Sequence, residues 1–335
     1  MRVRLLLLRL LLLALLVPAV LLTGVRLAEP DGGTWIRVVS FTPLAMPAYT
    51  LILVLLLLRA ARPGERGRRP WVAAAALVLV PLGLHGWWFA PQVSGGGPAA
   101  GPGTAAVTVM SANLARGAGD GTAVLEAAVA RDVDVLVLQE ITPGGLREME
   151  AAGLTSAFPF RAGEAGPGTA GTMILATGAV TDVEEIPTGF GGWVGTVDLE
   201  TVVVRVLGVH PRPPVGDAVA WREDHGLVLE ATRSAVSGDL PVVLAGDLNA
   251  TPDHAPLRAL ADAGVRSAAE LGNSGWVATW PAEGHGRLIP SFLPPLVQID
   301  HVLVGDGWAA DGVETVPVPG SDHRAVLARL WPGPR

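Results

Sequence analysis

Long apolar segments dominate the first 90 residues of the chain. Residues 5–22 are apolar except for Arg9, residues 38–58 carry no charged side chain, and residues 71–90 carry none apart from one histidine. Each segment is close to the roughly 20 residues that cross a bilayer as a helix. A signal peptide is the alternative for the first segment, but no small-residue cleavage pattern follows it and two further apolar segments favour a retained anchor. The pattern predicts three transmembrane helices.

Arginine placement gives these helices an orientation. Three arginines precede or begin the first segment and five lie in the short loop between the second and third, whereas the loop after the first has two, offset by two acidic residues. Loops rich in Lys and Arg stay in the cytoplasm. We therefore expect a multi-pass protein of the cell membrane, with residues 1–90 as its anchor and the rest of the chain extracytoplasmic.

A strand-rich pattern follows a Gly/Pro-rich stretch, residues 91–104, whose composition predicts a linker. Apolar runs typical of buried strands lie at 107–110, 133–138, 172–175, 194–209, 241–244, 297–304 and 325–330. Helical patterns lie at 123–131 and 218–237, and a short turn near Thr177 indicates a strand pair. This mixture predicts one α/β domain over residues 105–335, with a mixed sheet rather than a purely parallel one.

Charge differs sharply between the two parts. Residues 1–104 contain 10 Arg and 3 acidic residues, whereas residues 105–335 contain 14 Arg and 28 acidic residues, a net charge of −14. Such a domain lacks the basic surface of a tight duplex binder, so nucleic acid is a possible but disfavoured partner. The absence of cysteine excludes disulfides, thiolate metal sites and a cysteine nucleophile. No obligate protein partner is evident from the sequence.

Asp247 and Asn249 form the most informative polar pair. They follow the apolar run 241–245 within the segment GDLNATPDH, and the whole chain contains only three Asn. Two side chains separated by one residue on an extended backbone point the same way. That arrangement suits a carboxylate and an amide that meet one phosphate or one activated water. The alternative is a strand followed by an Asx turn before Pro252.

Other polar residues stand at the ends of apolar runs, where a sheet can gather them into one cleft. They are Asn113, Glu140, His210, the pair Asp300 and His301, and the pair Asp322 and His323. Hard cations such as Mg²⁺ prefer carboxylate oxygens, so Glu140 is the first candidate metal ligand. Imidazoles beside a phosphodiester can activate water, protonate the leaving oxygen or stabilise charge on phosphorus. His210 and His323 are the candidates for those roles.

Each of these residues alone has an ordinary explanation, such as a solvated strand end or a turn that satisfies backbone donors. Such explanations do not account for the occurrence of all these residues in this order along one chain. The residues interpreted as purely structural are His225 on a helix surface, His254 in a turn, and Asp134, Asp253 and His285. His85 is interpreted as an interfacial residue of the third apolar segment.

The order of these motifs resembles the endonuclease/exonuclease/phosphatase family, the DNase I-like superfamily, in its membrane-anchored bacterial form. The resemblance covers about residues 105–332. It rests on the Asn of the first strand, QE at 139–140, the strand-end His, GDLN, Thr279 with Trp280, IDH and SDH. It implies a four-layer α/β sandwich, with two mixed sheets face to face and helices outside. It also implies Mg²⁺- or Mn²⁺-dependent hydrolysis of a phosphodiester or phosphomonoester.

The resemblance also implies roles for the metal region. Matching the motifs residue by residue, Glu140 binds the metal, Asn113 assists the metal or the phosphate, and Asp322 supports the metal region. Asn113 is thereby a candidate for substrate binding as well as for metal binding.

The remaining matched residues are implied to act on the phosphate and the water. Asp247 and Asn249 would orient the attacking water and the scissile phosphate. His323 would be a general base or a phosphate stabiliser, held by Asp300. His210 stands where the abasic-site repair branch of the family carries tyrosine and matches the histidine of the DNase and sphingomyelinase-like branches. This departure argues against repair of abasic sites.

These observations favour a metal-dependent phosphodiesterase at the outer face of the membrane. Its substrate could be a phospholipid head group, a small phosphodiester or extracellular nucleic acid. One alternative is an extracellular endonuclease or exonuclease that acts on DNA. Another is a membrane-tethered binding module without catalysis. A transporter or sensor is disfavoured because the chain has only three apolar spans and no acidic residue within them.

Overall fold

The computed structural model describes residues 2–62, 68–97, 106–282 and 293–332. The chain divides into two compact units, Met1–Pro91 and Gln92–Arg335. Half of the stretch expected to be a linker lies outside the described residues, as does His285. Within the second unit, the Gly97 N–H donates to the Leu271 carbonyl over 3.2 Å, at the last residue described before position 98.

The described residues of the first unit are mainly helical. Its helices are α1 (Arg2–Ala28), α2 (Gly33–Val39), α3 (Ala45–Ala60) and α4 (Arg68–Phe89). Three stretches are long and apolar enough to cross a membrane, namely Val3–Ala28, Thr42–Ala60 and Arg68–Phe89, and no more than 28% of any of them is buried inside the unit. The second stretch begins four residues later than the expected 38, because α2 ends at Val39 and the chain turns before α3.

The three long helices pack through small and aromatic side chains such as Ala19, Tyr49 and Ala75. His85 lies within this packing and is only 3% exposed. Its Nε2 lies 2.9 Å from Thr23 Oγ1, which also lies 2.9 Å from the Tyr49 hydroxyl. His85 therefore contacts neighbouring helices and is not exposed on the surface of α4.

The described residues of the second unit form twelve strands and the remaining helices. The strands are β1 (Val107–Asn113), β2 (Val135–Gln139), β3 (Phe160–Glu164), β4 (Thr172–Ala176), β5 (Ala179–Glu185), β6 (Gly192–Asp198), β7 (Val203–Val209), β8 (Val242–Asp247), β9 (Arg266–Ser267), β10 (Asp300–Val304), β11 (Trp308–Pro317) and β12 (Arg324–Pro332). The helices are α5 (Pro91–Ser94), α6 (Gly121–Val129), α7 (Pro143–Ala151), α8 (Leu154–Ala157), α9 (Ala218–Val236), α10 (Ala255–Asp262) and α11 (Ala268–Leu271).

These strands form two six-stranded sheets. The first sheet has the order β11-β12-β1-β2-β4-β3 and the second has the order β5-β6-β7-β8-β10-β9. Each sheet contains one parallel pair, β1 with β2 and β7 with β8, and its other pairs are antiparallel. The two mixed sheets pack face to face with helices outside, so the expected four-layer sandwich is confirmed.

Alternation along the central strands explains the layers. Successive side chains of a strand point to opposite faces. In β1, Val109 enters the core between the two sheets, whereas Met110 joins the layer under α6, where it meets Leu125. Val206 of the second sheet faces the same inter-sheet core. The central strands are thus buried on both faces, which is why they form continuous apolar runs in the sequence.

Two expectations about the strands were wrong. The run 194–209 is not one strand but two, because the chain turns after Asp198 and returns as β7 beside β6. The turn near Thr177 does not join a strand pair: β4 belongs to the first sheet and β5 to the second. This short turn therefore carries the chain from one sheet to the other.

Candidate active site

The polar residues at the strand ends meet at one end of the two sheets, where the central strands begin or finish. Asn113 ends β1, Glu140 follows β2, His210 follows β7, Asp247 ends β8, Asp300 begins β10 and His323 precedes β12. Strands β10 and β12 run antiparallel to their neighbours, so their first residues lie beside the last residues of β8 and β1. Asp300 is the direct register partner of Asp247. We call these six residues, with Asn249 and Asp322, the polar cluster.

Contacts across the cluster join the two sheets. Asn113 Nδ2 of the first sheet donates to Asp247 Oδ2 of the second over 3.0 Å, and lies 3.5 Å from Glu140 Oε1. His210 Nε2 lies 3.6 Å from Asp247 Oδ2 and 3.9 Å from Glu140 Oε1. Glu140 and Asp247 therefore converge on one shared amide and one shared imidazole.

His323 makes the second bridge between the sheets. Its Nδ1 lies 2.9 Å from Asp300 Oδ2, and its Nε2 lies 3.7 Å from Asp247 Oδ2. Its backbone N–H donates to Ser321 Oγ, which in turn donates to the Asn113 carbonyl. The ring is thus fixed with its Nε2 turned toward the carboxylate of Asp247.

Electrostatics in this bridge favours ion pairing. Burial lowers the pKa of His323, but the negative charges of Asp300 and Asp247 outweigh it and raise the pKa to about 10. Burial raises the pKa of Asp247, but the positive charge of His323 prevails and the pKa falls to about 2. Burial also raises the pKa of Asp300, and there the charge of His323 offsets it only in part. Without a bound cation, His323 is an imidazolium at neutral pH beside the Asp247 carboxylate.

Unusual backbone conformations place two members of the cluster. Glu140 and Asn249 both have a left-handed backbone, with φ of 57° and 46°. Such a conformation in a non-glycine residue costs on the order of 1–3 kcal/mol and persists only where the surroundings enforce it. Gly246 allows the close approach that brings Asp247 beside β7, since a Cβ at this position would collide with the Val209 carbonyl oxygen.

The expected extended backbone between Asp247 and Asn249 was wrong. Asp247 Oδ1 accepts the Asn249 backbone N–H over 2.8 Å, as in an Asx turn, while Oδ2 faces Asn113. Asn249 Nδ2 donates to the Pro211 carbonyl over 3.0 Å. The Asx turn and the role of Asp247 in the cluster are compatible, because one carboxylate oxygen accepts the hydrogen bond of the turn and the other faces the cluster.

A sequence model of the Endonuclease/Exonuclease/phosphatase family matches residues 110–323 of the chain. This stretch contains every member of the polar cluster. The chain belongs to the endonuclease/exonuclease/phosphatase family. Members of this family are hydrolases that act on phosphoesters. Comparison with curated proteins gave no match.

Solved structures agree with this family at the level of the fold. A humanized TDP2 from D. rerio is 16% identical with a TM-score of 0.55, covering 67% of this chain and 98% of that chain. Sphingomyelinase C from Streptomyces griseocarneus is 18% identical with a TM-score of 0.52, covering 68% and 99%. An endonuclease/exonuclease/phosphatase family protein from Bacteroides thetaiotaomicron is 19% identical with a TM-score of 0.52, covering 69% and 100%.

The cluster in this family member suits a cation. One polar atom from each of Asp247, Asp300 and His323 lies within 4.8 Å of the others, and all three residues are buried. Because a protonated imidazole cannot bind a metal, the carboxylates are the ligands that this group offers while His323 is charged. Glu140, the first ligand expected from the sequence, is adjacent through Asn113 and His210. Four carboxylates and two imidazoles leave the cluster with excess negative charge. Oxygen-rich, negative sites of this kind bind hard divalent cations.

Asp322 lies at the margin of the cluster. Its side chain is 41% exposed, its Oδ1 is 4.0 Å from His323 Nε2, and its Oδ2 accepts the Trp280 indole N–H over 3.1 Å. The structure therefore brings Asp322 to the cluster through His323 and fixes it on Trp280. Its support of the metal region stays a prediction.

His225, interpreted as a helix-surface residue, is buried, and so is His254, interpreted as a turn residue. His225 and His254 are each 4% exposed. His254 Nδ1 accepts the Thr251 backbone N–H over 2.8 Å at the start of α10. From α9, His225 contacts the Leu248 carbonyl in the segment after β8, and Trp221 of the same helix donates to the Asn249 carbonyl. Trp221 and His225 have the spacing of ordinary core residues on an amphipathic helix. In the sequence, only the polar groups on this otherwise apolar face could have indicated their contacts.

Proposed function

We propose that the chain is a divalent-metal-dependent phosphodiesterase, anchored by its apolar helices, with its catalytic unit at the outer face of the membrane. The observation that carries this proposal is the convergence of Glu140, Asp247, His210 and His323 from both sheets, with every contact among them described above at 3.9 Å or less. Carboxylates that can hold a cation thus stand beside imidazoles that can contact a phosphate.

The donor set fits Mg²⁺ or Mn²⁺. Glu140 would hold the ion, with Asn113 and Asp322 supporting it. Asp300 Oδ1 and His210 Nδ1 are buried polar atoms without a hydrogen-bond partner among the described residues, so the cluster has unused polar capacity. When bound, a divalent ion polarises the phosphoryl oxygen and lowers the pKa of water.

The protein's own residues divide the remaining work. Asp247 stays ionised at neutral pH and faces the cluster through Oδ2, so it accepts a hydrogen bond from the attacking water and orients it. The charge that Asp300 and Asp247 stabilise on His323 favours a phosphate stabiliser or proton donor over a general base. His210 and Asn249 flank the phosphate.

The chemistry of the second unit favours a small or lipid phosphodiester over DNA. Its net charge of −14 repels a polyanion unless cations screen it. Membrane anchoring would bring the cluster near lipid head groups. A nuclease activity is the second candidate, because the sequence match is to a family that is named for nucleases as well as phosphatases.

A hydrolysis panel on the purified full chain in detergent tests the activity. The panel presents phospholipid vesicles, bis(p-nitrophenyl) phosphate, plasmid DNA and RNA, each with Mg²⁺, Mn²⁺, Ca²⁺ or chelator. We expect cation-dependent cleavage of the diester or the lipid and slow cleavage of DNA. Faster cleavage of DNA would favour the nuclease. Binding of any of these substrates without turnover would favour the silent binding module.

Reporter fusions test the proposed orientation. Fusions at residue 64 and at residue 335 should report cytoplasmic and external locations respectively, because five arginines crowd the loop around the first site. An alkaline phosphatase fusion at the C-terminus that is inactive would contradict the external location.

A further inference from the structure

The first half of helix α9 buries three neighbouring side chains that carry polar groups. Trp221, Asp224 and His225 are 3%, 1% and 4% exposed. Their spacing of three and four residues places them side by side on the helix. Burying polar groups costs free energy unless they are hydrogen-bonded, so their partners identify what this face contacts.

Two of these side chains hold the segment that follows Asp247. Trp221 Nε1 donates to the Asn249 carbonyl over 3.1 Å. His225 Nε2 lies 3.0 Å from the Leu248 carbonyl oxygen and its Nδ1 lies 2.7 Å from the Trp221 carbonyl oxygen, so the ring links the helix backbone to this segment. The next residue, Ala250, has a similar contact: His301 Nε2 of β10 lies 2.8 Å from its carbonyl oxygen. Side-chain nitrogens therefore meet three successive carbonyls at the point where Asn249 has its left-handed backbone.

The third side chain holds the segments around His210. Asp224 Oδ2 accepts the backbone N–H groups of Gly189 and Arg212, over 3.0 and 2.8 Å. Its Oδ1 pairs with the Arg212 guanidinium over 2.6 Å. Phe190, next to Gly189, lies with its ring 5.0 Å from that of His210. One buried carboxylate thus fixes the chain on both sides of the His210 ring.

We propose that Trp221, Asp224 and His225 are positioning residues, through which one face of α9 sets the places of His210 and Asp247 relative to each other. They contact backbone rather than the reacting groups. A displacement of about 1 Å in a catalytic group can lower the rate on the order of 100-fold. Contacts that fix the positions of these groups would therefore affect kcat. The inference rests on the proposed function of the cluster.

The sharpest test replaces Trp221 by Phe, which keeps an aromatic ring and removes the indole N–H. Trp308 supplies the matched control, since it is 1% exposed and its Nε1 has no hydrogen-bond partner among the described residues. Both variants of the full chain are compared with wild type in two measurements. One is hydrogen exchange of a peptide that spans residues 246–254, and the other is kcat and KM for bis(p-nitrophenyl) phosphate at saturating Mn²⁺.

We expect Trp221→Phe to speed exchange in that peptide and to lower kcat about 10-fold, with KM changed less than about threefold, because a loosened loop misplaces Asp247. Trp308→Phe should leave exchange and kcat within about twofold of wild type. Equal exchange and equal kcat in the two variants would overturn the proposal. A wild type without hydrolysis would instead reject the proposed function, while the exchange measurement would still decide the positioning role.

A second pair of variants covers the case in which Trp221→Phe does not fold. His225→Gln retains an N–H that can reach the Leu248 carbonyl, whereas His225→Leu has none. Slower exchange and higher kcat in His225→Gln than in His225→Leu would support positioning by this hydrogen bond. Identical behaviour of the two would contradict it.

Discussion

Two β-α-β motifs contribute to the polar cluster of this protein, and they hold their cluster residues differently. The first motif, β1-α6-β2, and the second motif, β7-α9-β8, have the same parallel strand pair and the same connectivity. Each is followed by a cluster residue with a left-handed backbone, Glu140 in the first and Asn249 in the second. Helix α6, however, has 9 residues and buries only Val124, Leu125 and Ala128, whereas α9 has 19 residues and buries the polar face described above.

The two helices therefore differ in what they contribute: α6 contributes to the stability of the fold, and α9 also to the position of the cluster residues. In the first motif the helix contributes apolar burial, and Glu140 is placed by the end of β2 and by Asn113. In the second motif the helix also binds backbone groups of Gly189, of Arg212 after His210, and of Asn249 after Asp247. Disturbing α6 should therefore weaken the fold, whereas disturbing α9 should alter the site.

The largest effect expected within this comparison is at the end of the first motif. Glu140→Ala should lower the initial rate at least about 100-fold at low Mn²⁺, because its carboxylate is the first candidate ligand. Raising the Mn²⁺ concentration should restore part of the rate, since the affinity for the ion is what the variant loses. Rates measured against Mn²⁺ concentration check this, and a loss that no concentration of the ion relieves would remove Glu140 from the ligand set.

A smaller loss is expected in the second sheet at Asp300. Asp300→Asn should lower kcat about 10- to 100-fold, since the amide can still orient His323 but cannot stabilise its charge. Removing that negative charge lowers the pKa of His323, so the alkaline fall of kcat should move to lower pH. A pH–rate profile measures the shift. An unchanged profile would show that Asp300 does not set the charge of His323.

The helix of the first motif gives a loss of stability without a comparable loss of turnover. Leu125 is 3% exposed in the layer under the first sheet. Leu125→Ala should destabilise the second unit by about 2–4 kcal/mol through a cavity. The kcat of the folded protein should stay within about twofold of wild type. Urea unfolding and kinetics on one preparation test this, and a kcat loss as large as that of Trp221→Phe would erase the contrast between the motifs.

The smallest expected effect is the pH dependence of stability in chelator. Because the pKa of His323 rises from its ordinary value of 6.5 to about 10, its stabilising contribution is complete below pH 6.5 and is lost as the pH rises through about 10. Because the pKa of Asp247 falls from 3.8 to about 2, its contribution is present above pH 3.8 and is lost as the pH falls through about 2. Thermal unfolding should show both limbs, and His323→Ala should flatten the alkaline one. An alkaline limb that His323→Ala leaves unchanged would contradict this assignment.

The sequence predicted the central strands and the apolar helices well. Strands buried on both faces form unbroken apolar runs, and so do helices that are apolar enough to cross a membrane. The sequence indicated a strand after Thr177 but not the extent of the edge strand β5, whose side chains are mostly exposed and include Asp182, Glu184 and Glu185. Nor did it predict that β4 and β5 lie in different sheets. Local pattern identifies a strand, but which strands pair is decided by packing at a distance.

The candidate site shows the same division. Strand-end residues such as Glu140 and His210 could be singled out, because carboxylates and imidazoles after apolar runs are chemically unusual. The backbone at Asn249 could not be predicted, since its left-handed conformation depends on contacts from Trp221 and Pro211. Polar residues on a buried helix face share the spacing of ordinary core residues, so their role became visible only with their partners.

The most direct test of the central claim measures hydrolysis of bis(p-nitrophenyl) phosphate by the full chain and by His323→Ala, from chelator to saturating Mn²⁺. Wild type should be inactive in chelator and show saturable activation by the cation. His323→Ala should be slower by on the order of 100-fold or more at every Mn²⁺ concentration, because charge stabilisation or proton transfer is lost rather than ion affinity. A wild-type rate that chelator leaves unchanged, or equal rates in the two proteins, would contradict a metal-dependent phosphodiesterase built on this cluster.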